Sequence, residues 1–366
     1  TLQLDSINDS DRGDIEDDRT IDISDVSRLQ IKSHPWDEML SEHKKPELSP
    51  IFKLVPEDHL VVHFDELSDF SGLEDALKEV FSFGDYFFDI SEMLEVKETI
   101  VKRLGVKDLE KFESTVGEFA FVSEDISFVP RTNYALILKF NSDIAGKMAQ
   151  YFIPDTSVHG VVGDYYIIST SQNLFDSIKD TFGGKREAMY DAKDFAYASS
   201  VLDNRRDGMI YLSEKFILKM VSPEYRINAE RRNLTLQKLD ALQYTVLAYR
   251  SITGEFPDTL QQIADEGYIN SVEEGFTVDD GGRVWHKDWG TLYDVTAIGD
   301  VSIKKVTKQE KESYEDFRED YEQYWQEFFD PIGVAIKVSD QLYFHTIILP
   351  LIDESTYNGA KDFLGN

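Results

Sequence analysis

The chain has 366 residues, 41% of them apolar and 13% aromatic, enough for two or three domains with real cores and too apolar for wholesale disorder. Its 70 acidic residues outnumber 38 basic ones, a formal charge of −32, so the surface repels nucleic-acid phosphates and anionic lipid alike. It has no cysteine, which removes thiol catalysis, disulfides and thiolate-bound zinc together.

Residues 1–28 read as an acidic flexible tail, rich in Asp with few large apolar side chains. Within DSDRGD, residues Asp9, Asp11 and Asp14 approach the spacing of Asp-rich calcium loops, where a hard cation gathers several carboxylates around a tight glycine turn. Gly13 takes the third ligand position and Thr20 stands where such loops carry a bidentate Glu. Calcium on these three residues is one expectation; a solvated tail is the other.

Residues 29–228 read as one sheet–helix domain. HLVVHF (59–64), YALILKF (134–140), YYIIST (165–170) and GMIYLS (208–213) are apolar runs of strand length. Each precedes a short amphipathic segment, with Leu73, Leu77 and Val80, then Ile144, Met148 and Phe152, then Leu174, Ile178 and Phe182 at helical spacing. EFAFVSE (118–124) and ISFVP (126–130) suggest a hairpin, and HGVVGD (159–164) turns directly into YYIIST. Strands joined by short turns predict an α+β fold of antiparallel or mixed sheets, with short amphipathic helices on one face in repeated strand–helix units. His59 and His63 share one face of the first strand. At ~3.3 Å per residue they stand ~13 Å apart, too far to hold one metal ion.

Residues 229–305 hold a helix–turn–helix. Leu239, Leu242, Val246 and Tyr249 line one helix face, Gly254 ends that helix, and Phe256-Pro257 forces an extended turn. Asp258, with Gln261 three residues on, reads as the cap of a second helix whose Leu260, Ile263 and Ala264 face the core. Trp285, Trp289 and Tyr293 are spaced four apart and suggest a ligand-stacking face or packing on the long helix. His286 and Asp288 suggest an acid–base or metal pair. From about residue 235 to 295 the segment resembles the junction between helix and globular head in type IV pilins and type II secretion pseudopilins. More broadly, VPEDHLVVHFDEL, VGEFAFV, YALILKF, GDYYIISTSQNLFDSI and RDGMIYLS, in that order, resemble an uncharacterised family of exported bacterial proteins, a domain of unknown function. That resemblance implies export, often with a membrane anchor, and no particular activity.

Residues 306–366 read as a helix with an aromatic stripe (Tyr314, Phe317, Tyr321, Tyr324, Phe328) and a C-terminal hairpin. The apolar run near Ile347 to Ile352 contains Pro350 and falls short of the ~20 residues that span a bilayer. The start at Thr1 implies that any leader or anchor lies outside this chain. G-x-S-x-G, H-E-x-x-H, phosphate-binding and dinucleotide-binding patterns do not occur. The expectation is a non-catalytic envelope or cell-surface interaction protein, exported to the periplasm or cell surface, with a protein partner and no nucleic acid. The alternatives are a hydrolase of glycans or peptides with an Asp/Glu site, and a calcium-dependent adhesion module.

Overall fold

A computed structural model describes residues 19–29, 34–69, 115–125, 133–142, 158–202, 205–292, 295–325, 331–338 and 342–348. Its elements in chain order are β1 (Ile21–Asp22), α1 (Trp36–Ser41), β2 (Leu60–Phe64), β3 (Val116–Ser123), β4 (Tyr134–Phe140), β5 (Val158–Val162), β6 (Tyr165–Ser169), α2 (Gln172–Phe182), α3 (Lys193–Val201), β7 (Gly208–Leu212) and α4 (Glu214–Met220). There follow α5 (Pro223–Thr253), α6 (Leu260–Asp265), β8 (Phe276–Val278), β9 (Val284–His286), β10 (Gly290–Thr291), β11 (Lys305–Val306), α7 (Lys308–Asp320), β12 (Ile332–Val338) and β13 (Leu342–Ile348). The expected helices over 65–81 and 141–152 and the strand at 126–130 fall mainly or wholly outside the described residues.

The fold is α+β. Eight strands form one antiparallel sheet in the order β13-β12-β7-β2-β3-β4-β6-β5. β2, β4 and β7 begin 74 residues apart, but β7 runs opposite to β2 and β4, so the spacing is not a repeat of like-oriented units. β2 is buried along its whole length because alternate residues serve two cores. Val61 joins Ala120, Ile137, Ile167, Met209 and Ala335 on one face, where Leu174 and Ile178 of α2 and Phe195 of α3 cover them. Leu60, Val62 and Phe64 join Phe119, Phe121, Leu136 and Ile168 on the other, with Phe216 of α4. Serine caps start the helices that follow strands. Ser171 accepts from the Leu174 N–H at 3.2 Å and Ser213 from the Phe216 N–H at 3.0 Å.

Two expected boundaries move. The division at residue 228 falls inside α5, a 31-residue helix that begins at Pro223 behind the Ser222 cap and ends at Gly254, whose φ of 87° supplies the left-handed stop. The C-terminal hairpin does not stand apart either, because β12 pairs with β7 from Ile332↔Leu212 to Ile336↔Gly208 and completes the main sheet. The second helix of the helix–turn–helix is capped one residue later than expected. Thr259 accepts from the Gln262 N–H at 3.2 Å, and the Gln262 side chain accepts from the Asp258 N–H at 3.1 Å. Leu239, Val246, Tyr249, Leu260 and Ile263 then close a small core with Val278 and Val284 of the sheet β8–β10. Gln243 ties that sheet to α5 by accepting from the Val284 N–H and donating to the Gly282 carbonyl.

The aromatic helix α7 is a packing element. Tyr314 is buried and donates to the Val221 carbonyl at 3.1 Å, while Phe317 and Tyr321 extend the stripe outward. The side chains of Tyr324 and Phe328 lie outside the described residues. Among the described residues no helix is long and apolar enough to cross a membrane.

Gly208 sits directly across from Phe64, and a Cβ there would meet the ring at 2.4 Å. Phe64 is fully buried and has nowhere to turn. Gly208→Ala is expected to lower stability by ~1–3 kcal/mol, read as a lower denaturation midpoint in urea at unchanged slope.

Candidate functional site

Two clusters of buried and half-buried polar side chains lie at the two ends of the central strands. At the end where β2 begins and β3 finishes, His59 is 1% exposed. Its Nδ1 lies 2.9 Å from Asp58 Oδ1 and its Nε2 3.5 Å from Glu124 Oε1. Arg186 reaches both oxygens of Asp58 at 3.2 Å, and Asn133 donates to Glu124 at 3.3 Å. Burial pushes both carboxyls up, but the hydrogen bond and charge of His59, helped by Lys219, outweigh it and hold both below their ordinary range. One residue further on, Asp125 meets Arg232 of α5 at 3.6 Å, and both are over nine-tenths buried. Asn228, one turn earlier on α5, donates to the Val301 carbonyl at 2.6 Å. This polar layer is where the long helix docks on the sheet.

At the opposite end of the same strands Glu118 is the hub. His63 Nε2 lies 3.0 Å from Glu118 Oε1, Ser49 donates to that same oxygen, and Tyr165 donates to Oε2 at 3.4 Å. Burial raises the Glu118 carboxyl; the bonds from His63 and Ser49 and the charges of His63 and Lys139 bring it below its ordinary value. Tyr165, buried beside that carboxylate, is pushed up to about 12. The ring of His63 packs 4.9 Å from Phe52. Ser49 bonds the carboxylate, so this is not a serine activated by histidine, an arrangement that places the imidazole between hydroxyl and acid.

The residues singled out from sequence are dispersed. Asp9, Asp11 and Asp14 lie outside the described residues, as does Tyr293. Trp285 and Trp289 do not share a strand face, because Trp285 is in β9 while Trp289 lies in the turn between β9 and β10. Trp285 is 40% exposed and Trp289 3%, so the pair forms no open stacking platform. Asp288 is in that turn, and its backbone N–H donates to His286 Nδ1 at 3.2 Å. Burial lowers the His286 ring, which packs edge-on to Phe276. Beside this small sheet the shifted carboxylate is Asp279, lowered by the backbone N–H of Arg283 in a hairpin turn. His59 and His63 sit in separate clusters at opposite ends of β2, and among the described residues no group of three or more His, Asp or Glu is placed to hold a metal ion.

A groove of about 390 Å³ opens elsewhere, between α5 and α7, lined by Arg226, Glu230, Leu234, Tyr314 and Phe317 among others. The Arg226 guanidinium lies 4.1 Å from the centre of the Phe317 ring. Sequence reasoning missed Glu118, Glu124 and the Asp125–Arg232 pair. The available signal was an acidic residue inside or just after an apolar strand, VGEFAFVSED, which demands a buried cation or donor. Comparison with protein-family models, curated proteins and solved structures finds no match to this chain.

Removing one member of a buried ion pair strands the other, whereas replacing both with apolar residues does not. Arg232→Met is expected to lower stability by ~3–5 kcal/mol, and adding Asp125→Leu to recover most of that loss, measured by urea denaturation as a double-mutant cycle. The depressed Asp58 and Glu124 carboxyls stabilise the fold above their ordinary values of 3.8 and 4.5, and this contribution drains away as pH falls below them. Thermal midpoints should drop steeply on acidification through that window, and Glu124→Gln should show a shallower acid slope than the parent.

Proposed function

We propose that the chain is a non-catalytic interaction protein of the bacterial envelope or cell surface that works by holding a protein partner. One observation supports this most: among the described residues, the buried acid–base groups and the groove between α5 and α7 are in different places. His59 and His63 are 1% and 6% exposed, and both are engaged by carboxylates inside the ends of the sheet. The groove between α5 and α7 has no histidine in its lining. A general base has to come within hydrogen-bond reach of the proton it takes, and a partner surface needs no such group. Export agrees with the absence of cysteine and with the strongly acidic surface, which remains well solvated.

The hydrolase reading has one specific support, the Ser49–Glu118–His63–Tyr165 cluster, whose rim carries exposed Lys139. Glycan and peptide hydrolysis panels run on the purified chain separate the two. The expected result is no turnover above buffer, alongside stoichiometric capture of one protein from envelope extract of the source cells. Turnover that disappears in Glu118→Gln or His63→Gln would overturn the binding reading.

A further inference from the structure

The geometry points to the outward face of α5 as a docking surface for an amphipathic helix whose apolar side is flanked by Lys or Arg; this deepens the protein-binding reading above and rests on it. The helix has two contrasting sides. Leu239, Val246 and Tyr249, at most 4% exposed, face the small core. Half a turn away at 100° per residue, Leu234, Tyr244 and Ile252 are 51%, 68% and 70% exposed, with exposed Ala241 and Ala248 between them.

Charge makes this side unusual. Charged residues are 30% of the chain, so thirteen residues would carry about four by composition. From Ala241 to Thr253 the sequence holds Arg250 alone, and its guanidinium lies 4.3 Å from the Phe256 ring centre. A solvated helix face in so acidic a protein would be studded with carboxylates. The stripe from Leu234 to Ile252 is ~27 Å long at 1.5 Å per residue, with exposed Gln237 near its start and no carboxylate from Ala241 onward, and such a surface suits a helical partner. At its N-terminal end Leu234 also lines the groove beside Phe317, which offers a recess for one large apolar side chain.

The occupant follows from the ends of the stripe. Exposed Glu230 stands just before it, exposed Glu255 just after it, and exposed Asp240 along its flank. A second copy laid antiparallel about the middle of the stripe would set Glu230 of one chain against Glu255 of the other, on two bodies each carrying −32. Like charges juxtaposed in an interface repel. A helix with basic ends converts both acids into complementary contacts, and the field of the whole chain steers it in.

The probe is a synthetic 18-residue helical peptide with Leu and Ala on one face and Lys at both ends. Its controls are a composition-matched scramble without an apolar face and a version with Glu at both ends. Titration calorimetry with the full chain is expected to show binding of the parent peptide. Affinity should fall at least tenfold for either control and for the Tyr244→Glu/Ile252→Glu variant, whose substituted positions are too exposed to disturb folding. Equal binding by the scramble, undiminished binding by the variant, or no binding of the parent peptide would overturn the assignment. So would a dimer in sedimentation equilibrium that the same variant disperses, because the occupant would then be a second copy. If the peptide fails while the hydrolysis panels stay blank, the surface is wrong and the binding reading stands; turnover would sink both.

Discussion

The structure depends on a strip of buried charge at one end of the central strands. β2 begins and β3 finishes there, beside Asp58, His59, Glu124 and Asp125, and Arg232 of α5 comes down onto the last of them. Charges taken out of water must find partners or lose their ionisation. Among the described residues α5 shares no apolar cluster with the sheet, so its placement there rests on polar contacts such as the Arg232 guanidinium 3.6 Å from Asp125. The pair therefore fixes where the helix sits more than how tightly it is held. Everything carried on α5 inherits that placement: the small core around Leu239 and Val246, the sheet β8–β10 bonded through Gln243, and the groove shared with α7.

The same logic explains the two buried histidines. A chain with 32 more acidic than basic groups has few cations to spare for its interior carboxylates. Glu118 is bonded by His63, Ser49 and Tyr165, and Glu124 by Asn133 with His59 Nε2 3.5 Å away. Buried histidine beside a carboxylate invites a catalytic interpretation, but here each imidazole supports a strand end within a filled core. On the binding reading proposed above, the partner surface lies outside these clusters, on the helix that carries Arg232.

Much of the fold was legible in the sequence because burial leaves a periodic trace. HLVVHF, YALILKF, YYIIST and GMIYLS are all strands, and Ser171, Ser213 and Gly254 punctuate helices where their chemistry says they should. The second cap is Thr259 rather than Asp258, because both residues can cap and only the backbone decides which one turns extended. The return of β12 to pair with β7 left no trace, since pairing across 120 residues depends on backbone bonds that any apolar strand can make. Of the site, less was visible. Trp285 and Trp289 are equivalent by spacing, but Trp285 is on a strand and exposed while Trp289 is in the following turn and buried. The outward stripe on α5 is written as Leu234, Ala241, Tyr244, Ala248 and Ile252, but only the inward residues match a core pattern, and exposure has no sequence period of its own.

If the polar strip joins the sheet and α5 into one body, their slowest amides should open together. Hydrogen exchange of the full chain, followed by mass spectrometry, measures this directly, since segments that unfold as a unit share one opening free energy. The account predicts a common slow limit for β2, β3 and the stretch of α5 around Arg232. Exchange of that stretch at a distinctly faster limit while β2 and β3 stay protected would show that the helix opens on its own, and would contradict it.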